Sequence, residues 1–218
     1  NSSEYRNVFT KYSIAAAELY IAIKCDTKSI AENSDEETKR QIDSARNANV
    51  EMIVFAVDGD SVRDRIASNV RQEHALTPKA LTELAEHLNK WSKYCNSLGM
   101  RASFHPHAAT YIETPEETAY LFSKLDENVG LCLDVGHWLV GGGDPVEAVK
   151  EYNSRITHVH VKDVDPQVLA KLKTGKYGGM DIAVTQDKLF APAGTGSLDL
   201  DGLLDSLNQV GFSGFSGI

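Results

Sequence analysis

The sequence predicts a single α/β domain over residues 1–218, built from repeated βα units. Three observations carry this. Short apolar runs rich in β-formers alternate with longer segments of helical periodicity. The runs are apolar at nearly every position, as strands covered by helices must be. The helical segments open at recognisable caps. Right-handed βα crossovers leave two architectures, an open doubly wound sheet or a closed (β/α)8 barrel, and the pattern alone does not choose between them.

The strand candidates in order are Glu18–Cys25, Glu51–Val57, Met100–His105, Val129–Asp134, Ile156–Lys162 and a terminal run near Phe212–Ile218. Between them, Ser34-Asp35-Glu36-Glu37 reads as a capping box, and Thr77-Pro78 as an N-cap followed by proline at N1. Thr114-Pro115-Glu116-Glu117 combines both devices, and Asp144-Pro145 and Asp165-Pro166 repeat the scheme. In each, a side-chain oxygen can accept from a first-turn N–H that has no helical partner, while proline lacks a donor the helix would not use. The clearest helix spans about Pro78–Ser97, where Leu81, Leu84, Leu88, Trp91, Cys95 and Leu98 recur at intervals of three and four. Such a stripe is core packing. His74 and His87, among polar neighbours, are expected at a solvated surface. The Gly- and Lys-rich stretch Lys171–Gly179, continuing to Phe190, is long for a βα connection and is expected to be a mobile loop or lid.

Composition narrows the function. A 42% hydrophobic chain of this length supports one sizeable core and argues against disorder or a disulfide miniprotein. Thirty-one acidic against 22 basic residues give a net charge of −9, which disfavours nucleic acid and anionic membrane surfaces as partners. No apolar run is long enough to cross a bilayer. Cys25, Cys95 and Cys132 lack CxxC spacing, so buried thiols in a reducing compartment, the cytoplasm, are expected.

The chemistry concentrates between positions 105 and 160, which hold five of the seven histidines. They fall in Phe104-His105-Pro106-His107, in Leu133-Asp134-Val135-Gly136-His137 and in His158-Val159-His160-Val161-Lys162-Asp163, each at the C-terminal end of an expected strand. In parallel α/β folds that edge is where ligands bind. One histidine at a strand end is more often a hydrogen-bonded structural residue. Three consecutive strands ending this way are harder to dismiss, because burying so many polar groups without partners costs several kcal/mol. In the third motif the period of two puts His158, His160 and Lys162 on one face and Val159 and Val161 on the other. Imidazoles with a carboxylate suit Mn²⁺, Co²⁺, Zn²⁺ or Fe²⁺, whereas Ca²⁺ asks for more oxygen ligands.

With His105-Pro106-His107-Ala108-Ala109-Thr110, Gly142-Gly143-Asp144-Pro145, Arg155 to Asp163 and Phe190 to Gly196 before Leu198-Asp199, these motifs resemble the xylose-isomerase-like barrel superfamily. That superfamily includes sugar isomerases and epimerases, inosose dehydratase and endonuclease IV, and the resemblance is closest to the inosose (2-keto-myo-inositol) dehydratase branch. Order and spacing match over residues 100–218; residues 1–99 match only in βα pattern. The resemblance implies a (β/α)8 TIM barrel with one divalent metal at its C-terminal mouth, Mn²⁺, Co²⁺ or Zn²⁺ ahead of Mg²⁺. By motif it implies His105, Asp134 and His160 as metal ligands. Many relatives carry Glu at the first of these, and His107 is an available substitute. The family's fourth ligand, a Glu, would fall one residue beyond Ile218. The sequence opens on what would be the helix after strand two, so about six βα units of a truncated barrel are expected, without strands one and two and the end of strand eight, and inactive as it stands.

The implied reaction is proton abstraction next to a metal-polarised carbonyl of a small sugar or inositol-derived ketone. His137 is the candidate general acid or base, although in some relatives it helps bind metal. Lys162 would hold the developing oxyanion, and His107, His158 and Asp163 would contact substrate or support the ligands, Asp163 by orienting Lys162 or His160. Expulsion of a β-hydroxyl makes the enzyme a dehydratase; reprotonation makes it a sugar or hydroxypyruvate-type isomerase or epimerase. Phosphoester cleavage in damaged DNA is disfavoured by the charge. A non-catalytic barrel-mouth binding domain is the remaining alternative, and a homo-oligomer is compatible with any of these.

Overall fold

The structure, a computed structural model, describes residues 2–30 and 32–217. The elements run α1 (Ser2–Tyr12), β1 (Leu19–Ile23), α2 (Asp35–Asn47), β2 (Met52–Val57), α3 (Ser61–Ile66), α4 (Pro78–Ser97), β3 (Arg101–Phe104), α5 (Pro115–Phe122), β4 (Val129–Asp134), α6 (Val135–Val140), α7 (Pro145–Glu151), β5 (Ile156–His160), β6 (Asp163–Val164), α8 (Pro166–Leu172), α9 (Met180–Thr185), β7 (Phe190–Ala191), α10 (Leu200–Gln209) and β8 (Phe215–Gly217). All six expected strands form, each within its expected span; Ile218 lies outside the described residues.

The main sheet has the order β1-β2-β3-β4-β5-β8 and every pairing in it is parallel. This order decides between the two architectures. A doubly wound sheet reverses its strand order at a switch point, whereas here the order never reverses. The sheet is also curled. β1 and β5 are four strand steps apart, about 19 Å in a flat sheet, yet Glu18 Oε2, one residue before β1, lies 2.9 Å from His158 Nε2 on β5. Six parallel strands therefore form the wall of an incomplete (β/α)8 barrel.

Caps place the helices as the sequence predicts. Ser34 Oγ accepts from the Glu37 N–H, Thr77 Oγ1 from Ala80, and Asp144 and Asp165 each from two first-turn N–H groups. Thr114 and Glu117 make the full reciprocal box. On α4, Leu81, Leu84, Leu88, Trp91 and Cys95 are buried against the outer face of the sheet. Leu131, Leu133, Ile53, Phe55 and Phe104 meet them from the strands. Each fully buried side chain of this size contributes about 1.5–3 kcal/mol relative to exposure.

Two expectations are corrected. Residues 171–190 are not a loose lid: α8 and α9 occupy most of the stretch, and Leu172, Met180, Ala183 and Leu189 are buried in a second apolar cluster with Val164, Val168 and Leu169. The antiparallel pair β6–β7 ties its end back to the barrel rim through Val164↔Phe190. His87 is half-buried beside Trp91, its ring 6.2 Å away, rather than solvated; burial pushes its pKa down to about 4. Among the described residues no helix is long and apolar enough to cross a membrane.

Candidate metal and catalytic site

The inward faces of β4 and β5 set the site by register. Cys132 pairs with His158 and, two residues on, Asp134 pairs with His160. The residues on each strand therefore point to the same side, in two layers up the barrel. The upper layer is at the C-terminal edge, where β4 runs directly into α6.

Asp134 is the centre of that layer and is 2% exposed. Its Oδ1 caps α6, accepting from the N–H groups of Gly136 and His137 at 3.1 Å each. Its Oδ2 faces the cationic and imidazole groups: Lys162 Nζ donates to it, His160 Nδ1 lies 3.3 Å away and His105 Nε2 3.6 Å away. Burial raises the Asp134 pKa, but the imidazoles of His105 and His160 beside it outweigh this and hold the carboxyl well below its usual range. Gly136 lets α6 approach, because a Cβ there would meet Lys162 Cβ at 2.8 Å.

The tautomers follow from the backbone partners. His105 Nδ1 is 2.7 Å from the Pro106 carbonyl and His107 Nδ1 is 2.7 Å from the Ala108 carbonyl. A carbonyl only accepts, so each Nδ1 carries the proton and each Nε2 is bare in the neutral ring. His105 Nε2 thus turns a lone pair toward the carboxylate oxygen of Asp134. Two lone pairs facing at 3.6 Å fit a cation between them, and imidazole with carboxylate is the donor set of a transition-metal or zinc site. His137 is the reverse case: its Nδ1 accepts from the Ala108 N–H at 3.4 Å, which leaves the proton on Nε2. Its ring lies 3.6 Å from that of His107. Burial, with positive neighbours, keeps His137 well below its ordinary pKa, and burial pushes His107 down to about 4. Both rings are neutral near pH 7.

The loop carrying His105 and His107 is held by an inner frame. Glu113, 1% exposed, accepts from the N–H groups of Ala109 at 2.7 Å and Ser68 at 2.6 Å. Desolvation pushes its pKa up to about 7. Buried Arg63 makes a bidentate pair with Glu117 at 2.9 and 3.0 Å. Beside the loop, a cleft of about 480 Å³ opens at the ends of β1 and β2, lined by Lys24, Asp26, Asp58 and Gly59 among others.

Of the residues singled out in the sequence, His105, His107, Asp134, His137, His160 and Lys162 come together at the mouth. His158 does not; it lies one layer deeper, bonded to Glu18. Asp163 reaches neither Lys162 nor His160. Its carboxylate accepts from the backbone N–H groups of Val164, Gly196 and Leu198 at 2.7–2.8 Å and pins the loop before α10. Glu18 escaped the sequence reading, although the period of two counted back from β1 through Ala22 and Tyr20 aligns it with them on one face. With Glu18, Cys132 and Asp134 around it, His160 has its pKa raised to about 11; burial opposes this, and the bonds to Asp134, Cys132 and Glu18 prevail.

The sequence profile of the xylose isomerase-like TIM barrel family matches residues 4–218. The rhizopine catabolism protein MocC of Rhizobium meliloti is 34% identical over 159 residues, covering 72% of this chain and 46% of that one. An inosose dehydratase of Clostridium botulinum (strain Eklund 17B / Type B) is 31% identical over 166 residues, 75% of this chain and 55% of that one. The chain spans about half the length of these curated relatives. Among solved structures, the IolI protein with a bound zinc atom superposes with a TM-score of 0.67 at 19% identity, covering all of this chain and 71% of that one. A D-allulose 3-epimerase from Methylomonas sp. in complex with D-allulose gives 0.71 at 14% identity, covering all of this chain and 67% of that one.

Proposed function

The chain belongs to the xylose isomerase-like TIM barrel family, and within it we propose a divalent-metal-dependent dehydratase acting on an inositol-derived ketone of the inosose class. The observation that carries the reading is the convergence on Asp134 Oδ2 of a bare imidazole nitrogen, a second imidazole and an ammonium. His105 Nε2, Asp134 Oδ2 and His160 Nδ1 would hold the ion, which when bound supplies Lewis acidity toward a substrate carbonyl or hydroxyl oxygen.

The chain's own residues supply the rest. His137, neutral with its proton on Nε2, is placed to donate a hydrogen bond to a substrate oxygen, while the proton with which a departing hydroxyl leaves as water is the one the base takes from the substrate carbon and then returns. His107, stacked on it with a bare Nε2, is the neighbouring base. Lys162, held by Asp134 and lying 5.8 Å above the Phe190 ring, places a positive charge where negative charge develops on the substrate. Dehydration is preferred over epimerisation because the relatives above 30% identity include an inosose dehydratase.

The test is to incubate the protein, at the full length of its relatives, with Mn²⁺ and inosose and to follow the near-ultraviolet absorbance of the unsaturated ketone product. Metal-dependent growth of that band, abolished by chelator, is the expected result. No band, alongside turnover of a ketose under the same conditions, replaces the dehydratase with an isomerase or epimerase.

A further inference from the structure

One layer below Asp134 the barrel interior holds a second convergence of donors, of which the proposed chemistry uses only His160. Glu18, Cys132, His158 and His160 each offer one ligand atom, and the four atoms lie within 4.8 Å of one another. Cys132 and His158 are cross-strand partners on β4 and β5, and both are buried. Glu18 closes the set from across the curl of the sheet. His158 Nε2 is 2.9 Å and His160 Nε2 3.3 Å from the same oxygen, Glu18 Oε2. The sulfur of Cys132 is 3.8 Å from His160 Nε2. Two imidazole nitrogens aimed at one carboxylate oxygen beside a thiol is an arrangement that a divalent ion takes over by displacing the protons between them.

We propose that Glu18, Cys132, His158 and His160 form a second metal site, selective for a thiophilic divalent cation such as Zn²⁺. The selectivity follows from the donors. A thiolate with two imidazoles favours zinc or cobalt, whereas magnesium and manganese prefer oxygen ligands. Four protein donors fill a tetrahedron, so the ion has no open position for substrate and its role is structural or regulatory. On binding, the Cys132 thiol proton and the imidazole protons leave to solvent.

His160 connects the two layers. Its Nδ1 faces Asp134 and its Nε2 faces Glu18, and a neutral imidazole has one lone pair. An ion in the lower site therefore withdraws His160 from the upper one, and excess zinc opposes activation by manganese. That last consequence rests on the function proposed above; occupancy of the lower site does not.

Cobalt is the probe. Titration of metal-free, reduced protein with Co²⁺ is expected to raise a near-ultraviolet thiolate-to-cobalt band that saturates at one equivalent. The band persists in His105→Ala, disappears in Cys132→Ser and needs more than about tenfold higher Co²⁺ in Glu18→Gln or His158→Ala. Absence of the band in the unsubstituted protein overturns the site, as does an undiminished band in Cys132→Ser, which assigns the thiolate to Cys25 or Cys95. If Cys132→Ser does not fold, Glu18→Gln at its half-buried position decides, and unchanged Co²⁺ affinity there overturns the four-donor assignment. A protein that shows the band but never dehydrates inosose overturns the function and leaves the lower site standing.

Discussion

The two faces of the main sheet are built from the same strands to opposite ends. The outer face carries Ile53, Phe55, Phe104, Leu131, Leu133 and Val159 into one apolar cluster under the helices. Among the described residues the inner face offers an apolar cluster of Met52, Val54 and Cys132, and around it stand Ser103, His105, Asp134, His158 and His160. Because side chains alternate along a strand, one six-residue run such as β4 supplies Leu131 and Leu133 to the first face and Cys132 and Asp134 to the second. Burial on the outer face is strong enough to hold a polar interior together. Stability and chemistry are separated by a single step along the chain.

If that separation is real, substitutions on the two faces affect different measurements. The largest effect is expected on the outer face, where Phe55→Ala leaves a cavity and lowers unfolding free energy by about 3–5 kcal/mol, read by denaturant titration, while metal affinity of the folded fraction is unchanged. Arg63→Ala, which strands the carboxylate of Glu117 in the frame behind the His105 loop, falls in the same range of about 3–5 kcal/mol but also weakens metal binding. The inner face is read by ligand stabilisation: Mn²⁺ at a hundred times its Kd stabilises by about 2.7 kcal/mol, a shift that vanishes in His105→Ala although the apo protein unfolds as before. Equal shifts in both proteins would merge the two faces.

Smaller per pH unit is a titration effect. Glu113 has its pKa raised by burial to about 7 from an ordinary value of 4.5. The folded state binds the proton more tightly than the unfolded one, so the stability due to this group is present below pH 4.5 and is lost as pH rises to 7. The slope is at most about 1.4 kcal/mol per pH unit. Thermal unfolding between pH 5 and 7 is expected to flatten in Glu113→Gln; an unaltered slope would mean that the carboxyl titrates normally. Last comes Thr77→Ala, which removes the α4 cap for about 1 kcal/mol and leaves both metal affinity and the pH slope alone.

Much of this was legible from residues. The strands announced themselves as β-branched runs such as Met52–Val57, and proline after Thr or Asp marked four helix starts that the caps reproduce. The mouth cluster was legible because a strand end in a parallel fold fixes where its last side chain goes. What stayed hidden needed distances between elements that sequence spacing does not contain. Glu18 is 142 positions from His160 and meets it only because the sheet curls. Val135–Val140 was read as part of a ligand motif, while its helix depends on Asp134 Oδ1 serving as a cap. Residues 171–190 looked mobile because glycine and lysine outnumber the spaced Leu172, Met180, Ala183 and Leu189 that bury them.

The two oxygens of Asp134 have a consequence for how this chain can change over generations. Proteins commonly trade stability against activity, so that a weakened site is a more robust fold. Here one oxygen starts a helix and the other gathers the cation-facing groups. A lineage that abandons the chemistry gains no robustness by replacing this aspartate, and its survival in a relative is therefore poor testimony that the relative is still an enzyme. The bare Nε2 of His105 is the better witness, since its ring nitrogen is free to be lost without disturbing a helix.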